Sequence, residues 1–459
     1  MKKLLSLAVL AMVLFSTGSG VSLPLEGTSG ALLTIYNSDA ALIEEQRAFN
    51  LTQPEETVEL QGITRGVIPD SINFKPDNLS VAVMQQEFVY QPVNRERLLT
   101  SYVGHEIEVV IPRTFGAKTY RGTLLSTEDG LVLQESSGKV QILPMDAEIT
   151  LPQAPELATK PTLRWLVHSD VIGEVRGELS YLTGGLNWNA SYNAVLDETE
   201  TKMDVSSWVS IMNSTGVTFQ NARLNLIAGQ LQRQQPQPVS LAPQAEKVAA
   251  APQASAQFEA PTTAFEYHQY ALKRPATLKD NQQSQLGFYS ASAVPVDKRY
   301  VLDSNRGEKV WVMFDVVNSE QNNLGLALPA GLVRVYKRDM NGIQLVGEDK
   351  IDHWAKDEKV TLTVGAAFDL KAERKMTDHQ LVSRDDKGHE VYRDTIEITL
   401  RNRKDQASQI EVIEHLPGYW KMLAHSLEFE KLDANRVRFH VLVPKGSEAK
   451  LTYTVEYTY

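Results

Sequence analysis

The sequence predicts an all-β protein: antiparallel β-sandwiches with one small barrel among them. Two observations carry that expectation. Apolar residues recur with a period of two over short runs along most of the chain, and clusters of Gly, Pro, Asn and Asp punctuate those runs. No amphipathic helix pattern interrupts the runs between Leu33 and Tyr90.

The stretch from Leu328 to Arg374 shows the pattern best. Val333 and Val335 alternate with Arg334 and Tyr336, Asp339 to Gly342 reverses the chain, and Ile343 to Val346 runs back as the second arm of a hairpin. Val360 to Val364 follows and ends at Gly365, before Ala366 to Leu370. These short strands joined by polar turns predict one antiparallel sheet.

Taken in order, the chain opens with Lys2-Lys3, then an apolar run from Leu4 to Phe15 too short to span a bilayer, then small residues from Ser16 to Gly20. That order is the pattern of a signal peptide over residues 1–22, with cleavage after Gly20 or Ser22. The expected location is therefore exported, periplasmic or extracellular. An N-terminal β domain is expected over 23–97. Between 98 and 152 the turns at Thr114–Lys118, Thr127–Gly130 and Ser136–Lys139 separate short apolar runs, as a small five-stranded SH3-like or Sm-like barrel requires.

Prolines 152, 155 and 161 stiffen the connection that follows. A β-sandwich is expected over 160–375, and Gly184-Gly185 permits a tight reversal between two aromatic-bearing strands. This sandwich is expected to be interrupted by a disordered insertion over 230–290. Gln230 to Thr263 alone holds 8 Gln, 8 Ala and 5 Pro in 34 residues, too few core-forming side chains to order it. Lys309 to Asn318 is apolar on both faces and reads as an interior strand neighbouring those before the insertion. Over 385–459, Ile396, Ile398 and Leu400 share a face. Val437, Phe439, Val441 and Val443 share another, and so do Leu451, Tyr453, Val455, Tyr457 and Tyr459. That spacing fits an immunoglobulin-like sandwich without its disulfide.

Composition narrows the function classes. The net charge is −11 and the basic residues are scattered, which argues against nucleic acid as a partner. There are no cysteines, which removes disulfide frameworks, thiolate metal sites and cysteine nucleophiles. No segment after the leader is long and apolar enough for a transmembrane helix.

Several blocks in series resemble a known family. They are LSYLTGGLNWNASYNAVL, VSSWVSIMNSTGVTFQNARLNLIAG, LPAGLVRVYKRD, GEDKIDHWAKDEKVTLTVGAAFDL and IEITLRNRKDQASQIEVIEHLPGYWKM. Together they resemble the large all-β domain of unknown function shared with mucoidy-inhibitor-like proteins. The resemblance implies an all-β, often exported protein without an established activity, and it supplies no catalytic residues. The coiled-coil segment of the longer members has no counterpart here, and Trp354-Ala355 stands where a small polar residue and proline are expected.

Chemistry, if any, is expected at one polar connection, where Asp349, Asp352, His353, Asp357 and Glu358 gather. Carboxylates with an imidazole can hold a hard or borderline cation, and Asp349, Asp352, His353 and Glu358 are the candidate metal ligands. The plainer expectation is a solvated turn whose acids pair with Lys350, Lys356 and Lys359. No Gly-x-Ser-x-Gly elbow, phosphate loop or His-x-x-x-His pair is present. The sequons at Asn78, Asn189 and Asn213 carry no argument in a bacterial chain, which the leader suggests.

The leading expectation is a non-catalytic, cofactor-free exported protein that binds or scaffolds another envelope protein or a cell-surface polymer. An envelope hydrolase or metal-dependent enzyme with a loop-built site is the alternative. A third is an outer-membrane β-barrel, which needs longer strands with an uninterrupted apolar outer face.

Overall fold

The computed structural model describes residues 20–22, 30–90, 94–114, 116–152, 160–229, 258–259, 261–264, 267–340, 342–384 and 389–458. Most of the expected leader and residues 230–257 of the expected insertion lie outside these. The described chain is nearly all strand, arranged in five sheets. All are open paths with free end strands, so no sheet closes into a barrel.

Three sheets share the largest core. An eight-stranded sheet takes Leu32–Tyr36, Ala40–Leu51, Gly173–Thr183 and Phe219–Ala228 through its centre. A five-stranded sheet runs Gln282–Pro295, Lys202–Asn213, Leu186–Leu196, Gly331–Asp339, Gly342–Ile351. A four-stranded sheet includes Glu55–Gln61, Thr162–Ser169 and Val81–Val89. Alternation explains the packing, since every second residue of Leu186–Leu196 is buried. Trp188 donates its indole N–H to the Ile35 carbonyl of the eight-stranded sheet (3.0 Å). Trp165 of the four-stranded sheet packs on Phe49 and Phe74 of the eight-stranded one.

That shared core corrects two expectations. The region 23–97 is no separate domain, because Leu33, Ile35, Ile43 and Leu60 lie in the same cluster as Trp188, Leu226 and Val335. The Gly184-Gly185 reversal also joins strands that do not pair. Gly173–Thr183 pairs with Ala40–Leu51, whereas Leu186–Leu196 pairs with Lys202–Asn213, so the turn carries the chain from one sheet to the facing one. Gly185 (φ +87°) allows that corner.

The expected disordered insertion is shorter than 230–290. Thr262–Ala264, Tyr267–Ala271, Ala276–Leu278 and Gln282–Pro295 are strands. The physical reason is aromatic content at the end of the Gln/Ala/Pro run and beyond it. Phe258, Tyr270 and Phe288 are buried and pack edge to face, with centroids 5.4 and 5.1 Å apart.

A small unit lies between Val81–Val89 and Thr162–Ser169. It opens with a helix absent from the expectation, Arg95–Ser101, whose N-cap Asn94 accepts the Arg97 N–H (2.8 Å). Five strands follow, ordered Val140–Leu143, Leu131–Gln134, Ala117–Ser126, Glu106–Pro112, Glu148–Thr150. They bury their own core of Leu99, Val109, Leu124, Leu131 and Leu133. Five strands were expected, but closure was not achieved. The two end strands, of 4 and 3 residues, share no ladder.

The C-terminal body is one nine-stranded sheet folded over its own core. Leu302, Ile398, Val412, Phe439 and Tyr453 meet there, and Phe439 stacks on Tyr453 at 5.6 Å. The boundary expected near 375–385 fails, because Lys359–Arg384 is a single strand of 26 residues in this sheet, together with Asp297–Asp303 and Lys309–Val317. Lys309–Val317 is interior, as its apolar faces imply. Its neighbours are Asp297–Asp303 and Lys359–Arg384 instead of the strands before the insertion.

Gly365 does not end the third expected strand of the hairpin region. It sits where Lys359–Arg384 passes the Gly342–Ile351 strand of the other body. At Gly347 an added Cβ would stand 1.9 Å from the Val364 carbonyl oxygen. Glu200 adds a tie between the bodies by pairing with Lys298 and, at 2.5 Å, with Lys337.

Candidate functional site

The connection singled out in the sequence is built mostly from backbone contacts. Asp349 lies on Gly342–Ile351, where its Oδ2 accepts the Thr363 N–H (2.6 Å) and so fastens two strands. Trp354 is buried, bridges Leu328 through both backbone groups, and donates its indole N–H to the Glu358 carbonyl (3.0 Å). Glu358 Oε2 accepts the Ala355 N–H (3.2 Å), and Asp357 takes the left-handed conformation (φ 64°) that closes the turn. Asp349 and Glu358 therefore bind backbone N–H groups of this connection and its neighbour strand. The lysines look elsewhere: Lys356 pairs with Glu320 and Lys359 with Asp315.

His353 makes a backbone contact of its own. Its Nδ1 accepts the Ala330 N–H (3.2 Å), which requires the neutral ring. Burial holds its pKa below the ordinary histidine value; Asp352 opposes the shift and His268 adds to it. His268 comes from Tyr267–Ala271, a strand inside the segment expected to be disordered. Among the described residues no group of three or more His, Asp or Glu is gathered as a metal would need.

A second constellation lies at the far end of the nine-stranded sheet. His379, on Lys359–Arg384, donates Nδ1–H to Asp394 Oδ1 (2.6 Å), and Asp394 Oδ2 accepts the Tyr457 hydroxyl (2.9 Å). Asp394 and Tyr457 are buried, whereas the His379 side chain is 52% exposed. Tyr392 stacks between them, 5.2 Å from His379 and 5.9 Å from Tyr457. The carboxylate holds Nδ1 as the donor and so orients the ring. A hydrolytic triad would also need a nucleophile within hydrogen-bond reach of Nε2. Among the described residues no hydroxyl makes that bond.

Deeper in the same core, Glu414 is fully buried. It accepts from the Arg374 guanidinium (2.9 Å) and from the Tyr453 hydroxyl (2.5 Å). Burial pulls the Arg374 pKa down, but the Glu414 hydrogen bond and charge carry it well above the ordinary arginine value. Burial, reinforced by Glu414, pushes the Tyr453 hydroxyl far up, so it stays a donor. A second ionic row crosses the sheet: Lys359 to Asp315, Asp315 to Arg299, Arg299 to Glu411.

A signal for these residues was available in the strand period. Asp394 is in phase with Ile396, Ile398 and Leu400, and Glu414 with Ile410 and Val412, so each is a carboxylate on a core face. A charge in that position has a partner or is a defect.

Beside His379 the sheet has a free edge. Lys359–Arg384 pairs with Lys309–Val317 only as far as Lys371, and with Glu390–Asn402 from Leu370 to Arg384. All ten residues from Lys375 to Arg384 are exposed, and among the described residues no strand pairs with their outer side.

No curated protein matches the chain. A family model described as "Domain of unknown function (DUF4139)" matches residues 178–420. The matched region takes in the last strands of the large core and most of the nine-stranded sheet, including His379, Asp394 and Glu414. It covers more than half of the chain, which belongs to the DUF4139 family.

Proposed function

We propose that the protein is exported and acts by binding, without chemistry of its own, as a holding or scaffolding component of a bacterial cell envelope. The observation that carries this reading is the Lys375–Arg384 edge, exposed on both faces and, among the described residues, paired by no strand on its outer side. An edge of that length is a template for pairing unless something covers it. The N-terminal pattern of Lys2-Lys3, apolar Leu4 to Phe15 and small Ser16 to Gly20 supports export, to the periplasm or beyond. Kinship with mucoidy-inhibitor-like proteins, resting on the five quoted blocks, belongs to the same reading. Of the residues offered as metal ligands, Asp349, His353 and Glu358 make hydrogen bonds to backbone N–H groups, which supports a structural role for them over metal chemistry.

The test has two arms. Mass spectrometry of protein recovered outside the cytoplasm should find a chain beginning near Val21 or Leu23, and retention of Met1 would remove the export step. Sedimentation of the full chain with isolated envelopes should be saturable, and a linear, non-saturating uptake would remove the binding step.

A further inference from the structure

Charge in the middle of the nine-stranded sheet is neutralised almost everywhere. On the four neighbouring strands Asp297–Asp303, Lys309–Val317, Lys359–Arg384 and Glu390–Asn402, every Lys and Arg but two pairs with a carboxylate. The two are Lys309 and Lys371. Both are exposed, and among the described residues neither makes an ion pair or a side-chain hydrogen bond. They stand directly opposite each other in the ladder between their strands. On its other side Lys371 faces Arg401, so cations flank it on both neighbouring strands.

Side chains directly opposite share a face with Cβ atoms about 4.5–5.5 Å apart, and like charges there destabilise a sheet. The neighbouring carboxylates are engaged elsewhere. Glu373 holds Lys375 and Arg401, Glu308 accepts the Arg374 N–H, and Asp303 holds His415. Asp369, where the ladder is interrupted, pairs with neither lysine.

A third cation joins them. Trp311 lies two residues beyond Lys309 and so shares its face, and the Arg306 guanidinium sits 4.5 Å over the indole ring. Arg306 ends the short 3-10 turn Ser304–Arg306, capped by Asp303 and followed by Gly307 at φ +84°. Among the described residues it makes no ion pair either, and the buried indole N–H of Trp311 meets no acceptor. Lys371 lies 5.2 Å over the ring of Phe368, which is 84% exposed. The patch thus presents three uncompensated cations beside an open aromatic ring.

We propose that this patch binds a doubly charged oxyanion, the phosphate of a monoester or diphosphate, between Lys309 and Lys371, with Arg306 donating its fork and Phe368 carrying the organic part of the ligand. A single carboxylate would leave the opposed lysines half compensated. A phosphate monoester carries about −1.5 to −2 charges and three acceptor oxygens, enough for donors on several sides. The guanidinium, stacked flat on an indole, offers its N–H edge already oriented for such a group. This adds a ligand class to the binding reading above and does not rest on the Lys375–Arg384 edge.

The test is isothermal titration calorimetry of the full chain with phenyl phosphate. Saturable binding is expected, weakening at least about threefold as ionic strength rises from about 0.02 M to about 0.2 M. Benzoate, with one charge on the same ring, should bind at least about fivefold more weakly. Inorganic phosphate should bind more weakly than phenyl phosphate, and Phe368→Ala should cut that difference to less than about twofold. Lys371→Glu should weaken binding at least about tenfold, yet leave the ligand-free protein as stable as the parent or more so, because it replaces like-charge pairs by opposite ones. That combination separates a ligand-binding cation from a structural one. Lys356→Gln, which removes an exposed cation paired with Glu320, should change binding by less than about twofold. Vesicles of phosphatidylcholine with and without phosphatidic acid distinguish the sources of the phosphate. Uptake that needs phosphatidic acid and is abolished by Lys371→Glu assigns a lipid headgroup, and calorimetric binding without such uptake assigns a soluble ester. No saturable binding of either phosphate, binding unmoved by Lys371→Glu, a lower thermal midpoint in that variant, or benzoate binding as tightly as phenyl phosphate overturns the proposal. Calorimetry uses no envelope, so its failure leaves a saturable envelope sedimentation standing, and the reverse.

Discussion

His353 and His379 are two histidines with opposite settings. His353 is exposed, accepts a backbone N–H, and has partial desolvation pushing its ring toward the neutral form. His379 is half-exposed and donates to a buried carboxylate. The first completes a turn; the second caps an aromatic stack at an open edge. The lesson is that a crowd of acids around a histidine in sequence says little about function when those acids answer to their own backbone. A single carboxylate on a core face says more.

Removing Leu451 to Tyr459 takes away the strand that supports the His379 end. It exposes the partners of Leu451, Tyr453, Val455 and Tyr457, all of them buried. At about 1.5–3 kcal/mol each, that is roughly 6–12 kcal/mol, the whole stability of a typical domain. Urea unfolding should lose the transition of the C-terminal body, and an unchanged final transition would place its core elsewhere.

Glu414→Ala should cost about 3 kcal/mol, because Arg374 and the Tyr453 hydroxyl lose a shared buried acceptor. Tyr453→Phe should cost about 1 kcal/mol, and the pair should be less than additive. Additive losses in the cycle would show that the three groups do not act together.

Asp394→Asn should cost about 1–3 kcal/mol and free the His379 ring, since a neutral amide replaces a charged acceptor. Loss of the Nδ1 proton signal of His379 in nuclear magnetic resonance would report the release, and a persistent signal would deny that Asp394 anchors it.

His353 should show the smaller and pH-dependent effect. Its folded pKa lies below the unfolded value of about 6.5, so the unfolded chain binds the extra proton first. The stability that the neutral ring contributes is therefore complete above about pH 6.5 and is lost as pH falls through the folded pKa. His353→Asn, which keeps an acceptor for Ala330, should cost about 1 kcal/mol at pH 8 and less near pH 5. A loss that grows toward low pH would reverse the sign of the argument. Asp352→Ala, at an exposed position, should change stability by less than about 0.5 kcal/mol. Loss of a stoichiometric metal in that variant would restore the connection as a metal site.

Much of the fold was legible because the period of two is local. The faces of Ile396, Ile398 and Leu400 and of Val437, Phe439, Val441 and Val443 needed no partner to be read, and all seven are buried. Partner choice was illegible. Nothing in Gly184-Gly185 distinguishes a hairpin from a corner between sheets. Nor does Gly365 declare that the strand runs on to Arg384.

The sequence by itself determined the strand class, the inward faces, the absence of cysteine chemistry and the Gln/Ala/Pro-rich stretch, because these follow from side-chain period and composition. Tertiary structure alone decided which strands share a sheet. It merged residues 33–67 with the core of 160–362, drew Lys359–Arg384 into the C-terminal body, and set His379 over Asp394 at an edge that no described strand pairs. The physical reason is that backbone hydrogen bonds between strands carry almost no residue identity. Register and neighbour are fixed by which buried faces fit together across hundreds of residues.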